Sequence, residues 1–181
     1  MGQEKSELEI HPGVPQLEYL LSILNEMCSR TAVSVRKGQA LTSSELSAKV
    51  IEDDEGDKGP MAGVLASLRA AEGLPVLVVA CDMPFLDAPV ILQLLSRRDE
   101  NKRASCFAGQ DGLPEPLCAV YESSALPLLE NRLREGRLSL RNFLLDEEVE
   151  FVELAKPRLL ASVNTPEEAD EARQRLSIDL H

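Results

Sequence analysis

A three-layer α/β/α sandwich around a mostly parallel sheet is the fold this sequence predicts, and three observations predict it. Short β-branched or apolar stretches alternate along the chain with segments of helical periodicity. One apolar run, residues 75–81, is continuous and bounded by Gly73 and Asp82, the pattern of a strand buried on both faces beneath helices. Apolar residues make up 44% of the 181 and aromatics only 3%, so the core is expected to be large and aliphatic. One domain over residues 1–181 fits this length.

Taken in order, Pro15 opens a helix over residues 15–29 with Leu17, Leu20, Leu21 and Leu24 on one face. Residues 31–36 are short and β-branched and read as a strand, as do 49–52. A turn-rich acidic loop spans 53–58. Residues 59–71 read as a helix, with Val64, Leu65 and Leu68 as its stripe and Gly73 as its stop. After the 75–81 strand, Asp87 caps a helix over 88–97. Further strands are expected at 103–108, 116–121, 149–154 and 158–163, and further helices at 124–135, 139–145 and 166–176.

Charge narrows the function classes. With 19 basic and 31 acidic residues the net charge is −12, which excludes the basic face of a duplex nucleic-acid binder. An anionic substrate must then be held by local donors, a helix N-terminus or a metal ion. The longest apolar run, 74–83, is broken by Pro75 and Asp82 and is too short for a bilayer, which takes about 20 residues. The first ten residues are polar and mixed in charge, unlike a signal peptide. Cys28, Cys81, Cys106 and Cys118 are scattered among only 2 histidines, so a zinc site is not expected and the thiols read as buried residues of a reducing compartment. A cytoplasmic protein with neither membrane nor nucleic-acid partner is the expectation.

Three segments carry candidate chemistry. In Val78-Val79-Ala80-Cys81-Asp82-Met83-Pro84-Phe85 a carboxylate follows a buried apolar run, a costly placement unless something satisfies it. Ligands of open α/β sheets bind at the carboxyl ends of strands, so Asp82 either holds a hard cation such as Mg2+ or caps the Pro84-Phe85 turn. The second segment is Asp53 followed by Gly59-Pro60-Met61-Ala62-Gly63. It is an ordinary helix start or a helix N-terminus offering N–H groups to an anion, with Gly63 allowing close packing or close approach of a ligand. In the third, Ser162-Val163-Asn164-Thr165-Pro166-Glu167-Glu168, Thr165 and Glu168 form a capping box, which leaves Asn164 unexplained. Arg132, Arg134, Arg137 and Arg141 would face a phosphate or, as we expect, line a solvated helix face.

The run Val50-Ile51-Glu52-Asp53 with Gly59-Pro60-Met61-Ala62-Gly63, then Cys81-Asp82-Met83-Pro84, Glu115-Pro116-Leu117 and Asn164-Thr165-Pro166-Glu167-Glu168 resembles the molybdenum cofactor guanylyltransferases, MobA-type members of the larger nucleotidyltransferase fold. Each motif is weak alone, but their order and spacing run from Met1 to about Leu176. The resemblance implies a Rossmann-like sheet of the nucleotide-diphospho-sugar transferase type. It also implies an activity, transfer of the GMP part of GTP to molybdenum-bearing molybdopterin with release of pyrophosphate and with Mg2+ as cofactor. By match of motif, Asp82 would be the metal ligand, Asp53 would bind the guanine-nucleotide portion and Gly59 would open the loop beneath it. GTP and Mo-molybdopterin are the implied partners, with a molybdoenzyme or cofactor-delivery protein beyond them. Transfer of this kind rests on positioning and electrostatics, so no protein nucleophile is needed.

The sequence departs from the family pattern in places. The family opens with a strand and a glycine-rich loop, then Arg, Met-Gly and Asp-Lys. Here Met1-Gly2-Gln3-Glu4-Lys5-Ser6 resembles the tail of that signature, with Lys5 in the place of its phosphate-binding lysine. The same residues fit a loose myristoylation pattern, which the signature explains better. A sheet lacking its first strand is therefore expected, from a truncated chain in preference to a degenerate family member. Ser34 or Arg36 stands where the family usually presents asparagine to the base, and Ser162 replaces a residue often Asn. Two alternatives stay open: a cytidylyl or sugar-phosphate nucleotidyltransferase, and, from another class, a non-catalytic module that holds the pterin cofactor or a partner enzyme.

Overall fold

The computed structural model describes residues 10–11, 13–39, 48–53, 56, 58–109 and 111–178. Among them, no helix is long and apolar enough to cross a membrane. Helix α1, Gln16–Met27, follows Pro15 and buries Gln16, Leu17, Leu20 and Leu21. Strands β1, Ala32–Arg36, and β2, Lys49–Asp53, pair in parallel from Ala32 opposite Lys49 to Arg36 opposite Asp53. Helix α2, Pro60–Ala70, starts from Gly59, whose φ of 62° lies in the left-handed region that glycine tolerates. Proline at the first helical position loses no hydrogen bond there. The chain then enters β3, Val76–Val79, and α3, Ala88–Ser96, whose cap is the expected one: the Val90 N–H donates to Asp87 Oδ1 at 3.0 Å.

Strands β4, Ala104–Ala108, and β5, Pro114–Tyr121, follow, then helices α4, Leu126–Arg134, and α5, Leu140–Asp146, strand β6, Val149–Val152, and helix α6, Pro166–Ile178. The described strands form two sheets, β1-β2 and β3-β5-β4-β6. In the larger sheet β5 is antiparallel to β3 and β4, and β6 is parallel to β4, so three of its strands share one direction.

Alternating side chains of β4 and β5 feed two cores, which is what makes three layers. Cys106, Ala119 and Tyr121 face Val64, Leu65 and Phe143 of the α2, α4 and α5 layer. Phe107, Cys118 and Val120 face Leu20, Ile91 and Leu94 of the α1 and α3 layer.

Two elements differ from expectation. Residues 158–163 do not form a strand. Pro157–Leu160 is a 3-10 turn, because proline fixes φ in the helical range and the Leu159 N–H closes on the Lys156 carbonyl at 3.0 Å. The run at β3 is not buried on both faces. Val76–Val79 are all half-buried, since β3 pairs with β5 on one side and borders a groove on the other. That groove, about 380 Å3, passes between β1 and β3 and is lined by Ala32 and Ser34 of β1, by Ser67 and Ala70 of α2, and by Leu24 of α1 and Leu95 of α3.

Candidate active site

The turn carrying Asp82 is built by the β3–β5 ladder. Val79 lies opposite Cys118, and beyond the strand the Ala80 N–H still donates to the Leu117 carbonyl at 2.8 Å. Asp82 thus leaves the sheet half-buried at the carboxyl end of β3. Its backbone is anchored from two distant parts of the chain. The Val163 N–H donates to the Asp82 carbonyl at 2.8 Å, and Gln16 Nε2 donates to the Met83 carbonyl at 3.1 Å. Met83 and Leu86, 1% and 0% exposed, plug the turn into the core.

The same register sets Glu115 beside Asp82. Glu115 Oε1 accepts the Leu117 N–H at 3.1 Å, and the carboxyl is pushed above its ordinary value of 4.5 by burial first, and also by the Asp82 and Asp111 carboxylates. The Leu117 N–H and Arg141 act in the opposite direction. A carboxyl raised on folding holds its proton more tightly in the folded state. Its contribution to stability is therefore full below 4.5 and is lost as pH rises through the raised value. Glu115→Gln keeps the oxygen that accepts from Leu117 and removes the charge. Its Tm, measured against the parent from pH 4.5 to neutrality, is expected to gain steadily; parallel curves would refute the assignment.

Asp53 and Arg36 end β2 and β1 as register partners, Asp53 buried and Arg36 exposed. Helix α2 leaves the carboxyl end of β2, packs on β1, β2 and β3 and returns the chain to the amino end of β3, so the ends of β2 and β3 face the same way. Gly59 is exposed at the start of α2. Ser34 lies on α2 rather than at a strand end: a Cβ on Gly63 would come within 2.8 Å of Ser34 Oγ, so the glycine serves close packing of helix on strand.

Asn164 is exposed one residue past Val163, and its N–H donates to Glu168 Oε2 at 2.6 Å. The capping box forms in both directions, Glu168 N–H to Thr165 Oγ1 and Thr165 N–H to Glu168 Oε2, each 3.2 Å. Lys5 lies outside the described residues. The arginines divide, which corrects the expectation of one solvated face. Arg132 is 5% exposed, bonded to Asp146 and Glu147 at 3.0 and 3.2 Å and seated over the Phe143 ring at 5.2 Å. Its charge is thus spent on structure. Arg137 and Arg141 pair with Asp146 and Asp111, and Arg134 Nε reaches the Glu130 carbonyl. Burial pushes the Cys106 and Cys118 thiols up to about 12, which removes them as nucleophiles near neutral pH.

The donor set suits a hard cation. Asp82 supplies carboxylate oxygens at the strand end, and Glu115 lies near enough to feel its charge. Among the described residues no three His, Cys, Asp or Glu side chains converge. One or two carboxylates is nonetheless the usual protein share of a Mg2+ shell completed by phosphates and water.

Comparison with known proteins agrees with this geometry. Residues 1–151 match the MobA-like NTP transferase domain. The molybdenum cofactor guanylyltransferase of Pseudomonas putida is 31% identical over 169 residues, 92% of this chain and 87% of that protein. The molybdenum cofactor biosynthesis bifunctional protein of Synechocystis is 25% identical over 93% of this chain, which spans only 48% of that relative's length. Among solved structures, molybdopterin-guanine dinucleotide biosynthesis protein A from Archaeoglobus fulgidus superposes with a TM-score of 0.80 at 26% identity, covering 98% of this chain and 92% of that one. A Rossmann-like α/β sheet with an acidic turn after β3 and a Gly-Pro helix start beside it makes this chain a nucleotidyltransferase. It belongs to the MobA-like NTP transferase family.

Two residues of the site had no role from sequence alone. Glu115 stands in an otherwise apolar strand, a signal that was available. Gln16 reads as a polar residue at a helix start, and its partner lies 67 residues away.

Proposed function

We propose that this chain transfers the GMP part of GTP to Mo-molybdopterin and releases pyrophosphate, a step of molybdopterin guanine dinucleotide synthesis in the cytoplasm. The observation that carries the reading is the anchored Asp82 turn, which holds a carboxylate at the carboxyl end of β3 within electrostatic reach of Glu115. The shared names of relatives at 31% identity add to it. Asp82 is assigned as the Mg2+ ligand, with Glu115 beside it. When bound, the ion would neutralise charge on the phosphates. Asp53 takes the guanine-nucleotide portion, and Gly59 opens the α2 start beneath it. Asn164 borders the metal site through its neighbour Val163. Lys5 is assigned to the phosphates by its place in the motif.

The terminal phosphate oxygen of the pterin attacks the α-phosphorus of GTP. One P–O bond forms as the bond to the β-phosphate bridge breaks, and pyrophosphate carries off the electron pair. The residues position and screen; none is acylated or phosphorylated.

Calorimetric titration with GTP, CTP and ATP in the presence of Mg2+ tests the reading, GTP being expected to bind selectively. Asp53→Ala should raise the GTP dissociation constant about tenfold, the loss of one charged hydrogen-bond acceptor. An unchanged constant would remove Asp53 from the site. Binding of the pterin without Mg2+-dependent pyrophosphate release would favour the non-catalytic module instead.

A further inference from the structure

Among the described residues, Gln16 Oε1 and His11 Nε2 are the two buried side-chain polar atoms without a hydrogen bond of normal geometry, and the two side chains lie against each other. Both lie beneath the turn that carries Asp82. Gln16 is 0% exposed in the first turn of α1. Its Nε2 donates to the Met83 carbonyl at 3.1 Å, and its other end lies beside the His11 ring, which also neighbours the Pro84 carbonyl. The ring is fixed in turn by stacking on Tyr19, centroids 3.6 Å apart and planes 19° from parallel.

A fully buried amide is costly where a methionine or leucine would fill the same space without desolvation. Leu17, Leu20 and Leu21 on the same helix show that this face packs well with apolar residues. What distinguishes Gln16 is its bond. Two consecutive carbonyls of the turn are held, Asp82 by Val163 and Met83 by Gln16. The first donor is backbone and survives any substitution other than proline. The second is a side chain, and the only other donor to Met83 among the described residues is the Leu86 N–H within the turn itself, at a longer 3.4 Å, so the tie from the turn to α1 depends on residue identity.

We propose that Gln16 is a positioning residue for Asp82: its amide holds the Met83 carbonyl on one side and faces the His11 ring on the other, fixing the 82–86 turn in the orientation that presents the Asp82 carboxylate. This inference rests on the assignment of Asp82 to the metal. Residues that orient a metal ligand commonly alter affinity ten- to a hundredfold, roughly, when replaced.

The test uses Mn2+ as probe, titrated onto the GTP-saturated full chain and read by water-proton relaxation, with thermal melts alongside. Gln16→Glu keeps shape and an oxygen for His11 but replaces the amide N–H with a carboxyl that donates to Met83 only when protonated. Gln16→Met removes all polarity and guards against misfolding caused by a buried charge. Both are expected to weaken Mn2+ about tenfold, and Asp82→Ala to abolish protein-bound Mn2+. A Mn2+ constant within twofold of the parent in folded Gln16→Met overturns the proposal, even if Tm falls, because packing alone would then account for the residue. Undiminished Mn2+ binding by Asp82→Ala would instead overturn the metal assignment itself, a separate and recognisable failure.

Discussion

Asp82→Ala is expected to lower metal-dependent pyrophosphate release by roughly a hundred- to a thousandfold, while its Tm stays within about 2 °C of the parent. The two halves of that expectation have different physical origins. The turn around Asp82 is held by backbone carbonyls at residues 82 and 83 and by the buried Met83 and Leu86; an alanine leaves all four in place. Asp82 is half-buried at the strand end within electrostatic reach of Glu115, so removing its carboxylate relieves that repulsion and takes away the oxygen that would meet the ion. Measurement of pyrophosphate at saturating GTP, with melting curves on the same preparation, separates the two. Turnover near the parental rate would mean that the ion is held elsewhere.

Phe143→Ala should produce the opposite pattern, a loss of stability of about 3–5 kcal/mol and a drop in Tm of roughly 10 °C. Phe143 is 0% exposed in the core between α5 and the larger sheet, 6.4 Å from the Tyr121 ring. Its face also supports the Arg132 guanidinium at 5.2 Å. An alanine therefore opens a cavity and weakens the seat of a buried cation whose partners, Asp146 and Glu147, sit at the end of α5 and just after it. Chemical denaturation compared with Phe143→Leu measures it. A cost near that of Phe143→Leu would mean that the site collapses and fills the void.

Most elements were legible because local signals agreed with tertiary context. Pro15, Gly59-Pro60, Asp87 and Thr165 with Glu168 mark helix starts by chemistry that acts within four residues, and the structure uses them in that way. Residues 158–163 misled because Leu159, Leu160 and Val163 supply strand-like apolar content, while Pro157 decides the backbone. Arg132 misled for the converse reason: charge suggests solvent, but a ring and two carboxylates satisfy it in the interior. At the site, Asp82 stood out as a carboxylate after an apolar run. The role of Glu115 followed only from the antiparallel register of β3 and β5, and that of Gln16 from a contact between distant parts of the chain. The charge of Glu115 in an apolar strand marked it in the sequence without saying what it meets, and nothing local marked Gln16.

The groove between β1 and β3 bears on how the molecule opens. No described strand ladder crosses it; among the described residues the β1-β2 pair meets the rest through side-chain packing, chiefly along α2. Packing yields more gradually than a hydrogen-bonded ladder, so β1 and β2 form a cooperative unit able to loosen while β4 and β5 remain closed. Amide hydrogen exchange under native conditions should therefore fall into two classes, with Val33 and Val35 exchanging well ahead of Cys106 and Val120. Because Arg36 and Asp53 close that looser unit, the side proposed for the nucleotide would breathe against a more rigid side proposed for the metal, and a bound nucleotide spanning both would protect β1 and β2 more than the other described strands.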